Sequence, residues 1–386
     1  MPGIYLHIPF CKQACHYCNF HFSTSLKYKG ELVQAMLREL ELRKDYLVEK
    51  ELDSIYFGGG TPSLLTEAEL MLFFENIGKY FTLKPGAEIT LEANPDDITP
   101  EKLQSLRHTP VNRLSIGIQS FHEEDLRFFN RAHSASEARA CLARALDADF
   151  NDLTIDLIFG SPTTTDERWA ENLNLAFSYD IPHISCYALT VEERTALAHF
   201  IKTGKAPAVE EDKAARQYEH LLAAMRAHEY IQYEISNFAK PGRFAVHNSN
   251  YWRGEPYLGL GPSAHSFNGE SRQWNVANNT KYIRLLTNET GFENLPRLAP
   301  GLFEIEQLTP VDRYNEYVMT GLRTIWGVEL SRLRQIGPEF ETYFLQNVQV
   351  FIEEGKADRV EDTVLLTDAG KFLADGIAAE LFARKD

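Results

Sequence analysis

Short apolar runs alternate with amphipathic ones through the first 230 residues. The runs at 4–9, 54–57, 88–93, 113–119, 153–159 and 183–189 are rich in Ile, Val, Leu, Tyr or Phe. Most of them stop at Gly, Pro or a polar residue. Runs of that length and composition predict strands. Between them apolar residues recur at helical spacing among charged ones, as Leu32, Leu37, Leu40 and Leu47 do within 30–48. The stretches 67–80, 100–107, 134–145, 166–179 and 214–228 repeat the pattern and predict helices. Strand–helix alternation of this kind implies a parallel sheet with helices on its outer face. Six units make a six-unit β/α barrel, and sequence order leaves open whether it closes.

Past residue 229 the pattern changes. Residues 235–274 are rich in Asn, Gly, Pro and aromatics, with no sustained period of either kind. Their density of Tyr, Trp and His predicts a structured, ligand-facing region rather than a linker. Helical spacing returns from Thr309, at 314–326, 330–336 and 340–353. A hairpin-like run at 358–366 and a final helix at 368–381 follow. The expected organisation is a barrel over 1–230, an aromatic and Gly-rich extension over 231–300, and a mainly helical, winged-helix-like module over 301–386.

Composition narrows the class. The 386 residues include 44% hydrophobic and 24% charged, which is ordinary globular usage. Subtracting 55 acidic from 39 basic side chains leaves a net charge of −16. Such a chain repels phosphate, so no nucleic-acid partner is expected. No apolar run approaches the roughly 20 residues that span a bilayer. The opening Met1-Pro2-Gly3-Ile4-Tyr5 leads straight into a strand, without the basic stretch and long apolar run of a signal peptide. The expectation is a soluble, cytoplasmic protein without a transmembrane segment.

The five cysteines supply candidate chemistry. Cys141 and Cys186 fall in a helical and a strand-like run and read as buried structural thiols. The other three form Cys11-Lys12-Gln13-Ala14-Cys15-His16-Tyr17-Cys18 directly after the first strand. Three thiolates at C-x₃-C-x₂-C spacing can each hold one iron of a [4Fe–4S] cluster, leaving the fourth iron open to an exogenous ligand. The alternative is a zinc site completed by His16 or His21. Tyr17 and Phe20 would shield a cluster from water. At the end of the second strand, Gly58-Gly59-Gly60-Thr61-Pro62 lets a ligand approach the backbone, or else makes a tight turn without one. Glu92, Gln119 and Asp156 each interrupt an apolar strand, and three polar groups on one rim suggest a shared ligand.

These motifs resemble the radical S-adenosylmethionine (SAM) superfamily, and within it the oxygen-independent coproporphyrinogen III oxidase-like family. The resemblance spans nearly the whole chain. It rests on Tyr5-Leu6-His7-Ile8-Pro9-Phe10-Cys11 running into the three cysteines and on Gly58-Gly59-Gly60-Thr61-Pro62. It rests further on Gly117-Ile118-Gln119-Ser120-Phe121, Asn130-Arg131 and Asp156-Leu157-Ile158-Phe159-Gly160. It implies a partial six-unit radical SAM barrel in which Cys11, Cys15 and Cys18 ligate the cluster. It implies that Tyr5, Gly59, Gly60, Thr61, Glu92, Gln119, Arg131, Asp156 and Ala188 line the SAM site. In that family a reduced cluster cleaves SAM into methionine and a 5′-deoxyadenosyl radical.

Two departures point to a non-oxidase branch. The oxidase pattern has a further cysteine two positions after the third, where this chain has Phe20. The string His247-Asn248-Ser249-Asn250-Tyr251-Trp252 is similar to that of the family's heme chaperones. The resemblance therefore implies a heme-binding protein that delivers heme to acceptors such as respiratory-chain enzymes, with little or no coproporphyrinogen III dehydrogenase activity. His247 is the candidate axial ligand, since imidazole commonly ligates heme iron. Tyr251 and Trp252 would cover a porphyrin face, and His265 is the rival ligand. The plainer reading of His247 is a local hydrogen bond in a polar loop.

Overall fold

The computed structural model describes residues 1–287 and 298–384. Residues 288–297 of the expected extension, and the last two of the C-terminal module, lie outside the described residues. At the centre are six parallel strands: β1 (Gly3–Ile8), β2 (Glu51–Gly59), β3 (Thr82–Ala93), β4 (Arg113–Gln119), β5 (Leu153–Phe159) and β6 (His183–Ala188). They lie side by side in chain order. All six expected runs are strands. β3 starts six residues earlier than its apolar run, because the exposed Thr82-Leu83 pairs with Glu51-Leu52 before a register shift to Ser54↔Glu88. Lys84, Pro85 and Gly86 in between hide that strand from any apolar pattern.

The crossover helices are Lys29–Leu42, Glu67–Ile77, Pro100–Arg107, Ala135–Asp147 and Asp166–Ser178, and Glu211–Ala227 follows β6. Their starts are set by side chains. Thr66, Thr99, Ser134 and Thr165 each accept the peptide N–H three residues on. Two further short helices, Glu123–Phe129 and Ala196–Lys202, carry too few turns to show a period.

Period-two alternation divides every central strand. Ile4, Leu6, Ile55, Phe57, Leu91, Leu114, Ile116, Ile155 and Leu157 enter the main core with the helices. The alternate positions Tyr5, Tyr56, Thr90, Glu92, Arg113, Ser115, Thr154, Asp156, His183 and Ser185 line an internal cavity. The sheet interior is thus polar and the apolar face lies outside it, under the helices.

The sheet continues past both ends of this set. β7 (Ile231–Glu234) and β8 (Asn237–Ala239) add an antiparallel hairpin beside β6. On the other side β9 (Tyr257–Leu260) runs parallel to β1, followed by antiparallel β10 (His265–Phe267), β11 (Ser271–Asn275) and β12 (Phe303–Gln307). The result is one twelve-stranded sheet in the order β12-β11-β10-β9-β1-β2-β3-β4-β5-β6-β8-β7. Region 235–274 therefore supplies four short strands, β8 to β11, to this sheet, with one helix, Val246–Arg253, between β8 and β9. Its strands are too short to display a period.

A buried polar network joins the added strands to the first helix. Arg43 pairs with Glu39 at 2.9 Å and donates to Gly259 O, Ser266 Oγ and Gln273 Oε1. Glu39 also accepts from Gly261 N–H, Asn275 Nδ2 and the Tyr282 hydroxyl. The C-terminal part has a separate core around Tyr314, Phe344 and Val348. It consists of helices Pro310–Leu322, Leu330–Ile336 and Pro338–Glu353 with a small sheet of Val328–Glu329, Thr363–Leu366 and Ala357–Val360. The expected final helix is two, Asp368–Lys371 and Ala374–Glu380, broken where Phe372 and Leu373 face solvent. Arg272 of β11 forms a two-point ion pair with Glu316 of Pro310–Leu322, at 2.6 and 2.9 Å.

Candidate functional site

The C-terminal ends of the parallel strands open onto a cavity of about 590 Å³. The loop after β1 carries Cys11, Cys15 and Cys18 into its wall, all three as free, half-buried thiols. Contacts within the protein hold this loop. The Cys11 N–H donates to Ser23 O at 3.0 Å, and the His16 N–H to Phe129 O at 3.0 Å. Gln13 Nε2 donates to Asn130 Oδ1 at 2.9 Å, and Asn130 Nδ2 donates to Ala14 O at 2.7 Å. Asn130 caps helix Glu123–Phe129 in the left-handed region, at φ 56°, a conformation that asparagine tolerates. Burial pushes the Cys11 thiol up to about 11 and raises that of Cys18, so metal binding must displace protons from both.

The two histidines of the zinc alternative are engaged elsewhere. His16 Nδ1 donates to Phe128 O at 3.0 Å while its ring meets Phe200 edge-on. His21 Nε2 lies 2.7 Å from Asn279 Oδ1. Among the described residues, no three His, Cys, Asp or Glu side chains are gathered closely enough to hold one metal ion.

Eight of the nine expected SAM-site residues line the cavity with the cysteines: Gly59, Gly60, Thr61, Glu92, Gln119, Arg131, Asp156 and Ala188. Tyr5 instead lines two neighbouring cavities. A β-carbon at Gly60 would stand 2.7 Å from Phe10 O, so this backbone runs flush against the cysteine loop. Gln119 ends β4 at φ 64°, a strained state for a residue with a side chain. Glu92 accepts from the Tyr56 hydroxyl at 2.8 Å and from the Gly59 N–H at 3.2 Å. Burial lifts its carboxyl to about 7 and that of Asp156 to about 6. Arg131 donates to Asn94 Oδ1 at 2.6 Å, Gly117 O at 2.8 Å and Cys15 Sγ at 3.3 Å, while its buried Nε has no partner. This donor set fits a [4Fe–4S] cluster with SAM beside it: three thiols for iron, and an unpaired guanidinium N–H and flush backbone for an amino acid group.

Two more cavities lie behind this one, of about 600 and 490 Å³. Tyr5, Glu92, Tyr251 and Arg272 line both. His247, Trp252 and Tyr56 belong to the smaller, and His7, His21 and His265 to the larger, so the structure separates the two candidate imidazoles. His247 is 4% exposed and stacks on Tyr56 with ring centroids 5.0 Å apart. Its Nδ1 lies 2.8 Å from Ser54 Oγ, and its buried Nε2 has no partner. Burial lowers its pKa to about 3, so the ring is neutral. Tyr251 packs edge-on to it at 5.2 Å, while Trp252 has its Nε1 buried without a partner and Arg323 over its ring. His265 is exposed at the start of β10. His7 is occupied: its Nε2 donates to His21 O and its Nδ1 accepts from the Tyr5 hydroxyl.

Several wall residues went unread in the sequence: Asn94, Arg113, Ser115, Tyr187 and Arg272. A signal was available for those on central strands. The polar alternate positions of β3 to β6 share one face through the registers Thr90↔Arg113, Glu92↔Ser115 and Asp156↔Ser185.

Residues 5–176 match the Radical SAM superfamily, and residues 308–373 match the HemN C-terminal domain. The heme chaperone HemW of Bacillus subtilis (strain 168) is 34% identical over 387 residues, covering 98% of each chain. The mitochondrial radical S-adenosyl methionine domain-containing protein 1 of Mus musculus is 31% identical over 91% of this chain and 80% of its own. The coproporphyrinogen III oxidase HemN of Escherichia coli superposes with a TM-score of 0.83 at 22% identity, over 99% of this chain and 90% of that one, and shares its fold. Identity of 34% running the length of both chains makes this protein a member of the radical SAM superfamily and, within it, of the HemW family.

Proposed function

We propose that the protein is a cytoplasmic heme chaperone. It binds heme, holds a SAM-liganded [4Fe–4S] cluster, and passes heme to acceptors such as respiratory-chain enzymes without decarboxylating coproporphyrinogen III. The observation that carries this reading is His247, a buried neutral imidazole with Nε2 unpaired on the wall of a ring-lined cavity. That is the form in which histidine ligates heme iron. Tyr251 and Trp252 offer flat faces on the same wall. Full-length relatives named heme chaperones support the reading. So does Phe20, which replaces the oxidase's further cysteine and is 69% exposed at the rim of two cavities.

The cluster with SAM supplies one-electron reduction of a sulfonium when bound. In this assignment Cys11, Cys15 and Cys18 hold iron, Arg131 and the Gly59-Gly60 backbone position the amino acid end of SAM, and Glu92 holds a proton near neutral pH. The completeness of that wall also favours a second reading, a radical oxidoreductase acting on coproporphyrinogen III or another tetrapyrrole. One experiment separates them. Anaerobically reconstituted protein is titrated with heme at the Soret band, and incubated separately with SAM, reductant and coproporphyrinogen III. Heme binding without loss of carboxyl groups from the tetrapyrrole is expected. Decarboxylation detected by mass would overturn the chaperone assignment in favour of the oxidoreductase.

A further inference from the structure

Asn130 and Arg131 are neighbours on one turn, and each reaches the cysteine loop by a different route. Asn130 exchanges amide hydrogen bonds with the loop's Gln13 and Ala14. Arg131 bends the other way, its own N–H bonded to Leu126 O at 2.9 Å, and brings Nη1 to 3.3 Å from Cys15 Sγ. The guanidinium is fixed from behind. Nη2 donates to Asn94 Oδ1 and to Gly117 O, and Asn94 in turn donates to the buried Thr61 hydroxyl at 3.1 Å. A β-carbon at position 117 would come within 3.1 Å of Nη2, so a glycine there leaves the guanidinium its place. Three guanidinium N–H groups are thereby accounted for by geometry, with one of them aimed at sulfur.

We propose that Arg131 is a positioning residue that sets the reduction potential of the cluster through an N–H···S hydrogen bond to Cys15. The inference rests on the reading of Cys15 as a cluster ligand. A cationic donor on a cluster sulfur stabilises the more negative, reduced state, and the effect is strongest in a wall screened from water. A contact to SAM alone would leave the potential of the SAM-free cluster unchanged by Arg131.

The test is an EPR-monitored redox titration of the full-length, anaerobically reconstituted protein with SAM omitted. Arg131→Met is expected to move the midpoint to a more negative potential, and Arg131→Lys, which keeps the charge, to move it less. Asn94→Ala, which removes the anchor and keeps the guanidinium, is expected to move it in the same direction. It carries the test if Arg131→Met assembles no cluster. A wild-type midpoint in Arg131→Met, or in Asn94→Ala where that variant stands in, overturns the proposal. Failure of the underlying cofactor reading looks different: the unmodified protein would then bind no iron and no acid-labile sulfide.

Discussion

Glu92 is held at the meeting point of all three cavities, where burial favours its protonated form. Its carboxyl titrates near 7 in the folded chain against an ordinary value of 4.5. Between those values the folded chain holds a proton that the unfolded chain has released. Stability contributed by this group is therefore greatest below the window and declines as pH rises through it. Glu92→Gln should flatten that decline and stabilise the apo-protein at pH 8 by roughly 1–3 kcal/mol, read from urea unfolding at a series of pH values. His247 makes a separate prediction. Its Nε2 is unpaired and its Nδ1 is taken by Ser54, so His247→Ala should weaken heme binding at least tenfold and leave the iron and sulfide content of the cluster unchanged. Undiminished heme affinity, measured by Soret titration, would shift the assignment to His265 in the neighbouring cavity.

The cysteine loop depends on the short helix Glu123–Phe129, whose C-terminal turn receives it. Because contacts to Ser23, Phe129 and Asn130 hold the loop, Cys11→Ala, Cys15→Ala or Cys18→Ala should lose the cluster while far-UV circular dichroism and melting stay close to those of the apo-protein. Asn130→Ala should do the reverse to the loop. It removes the amide exchange with Gln13 and Ala14, and a left-handed alanine costs about 1 kcal/mol. Hydrogen exchange at residues 12–18 of the apo-protein is expected to quicken, with that of β1 unaffected. This helix was not legible in the sequence, since seven residues show too little of a helical period. The Asn130-Arg131 pair itself was legible, as a motif without a geometry.

Across the whole molecule, the strands added after residue 230 are tied to the barrel through charge as well as backbone pairing. Glu39 and Arg43 are both fully buried, and each bonds to the turn or strands between Gly259 and Asn275. Glu39→Ala would leave the Arg43 cation buried without its carboxylate. The expected loss is about 3–5 kcal/mol of stability, measured by chemical denaturation. Neither residue stood out in the sequence, where an acid and a base four apart on a helix read as an exposed pair. Their burial follows from the second sheet segment folding over that helix, a contact between residues more than two hundred positions apart. Among the described residues, no helix is long and apolar enough to cross a membrane.

The chain's own order of apolar and polar residues determined the six parallel strands, their crossover helices and the helical C-terminal part, because each is built from local periodicity and local capping. The cysteine spacing and glycine run likewise announced a cofactor site, since ligand spacing and backbone permissiveness are properties of consecutive residues. Only the tertiary structure decided what those residues face. It put Tyr5 on two cavities beside that of the cysteines, set His247 and His265 on different walls, and turned Arg131 toward Cys15. It also turned an aperiodic stretch into four further strands of one sheet. These are matters of register and of long-range pairing, where a side chain's surroundings come from strands far away in the chain.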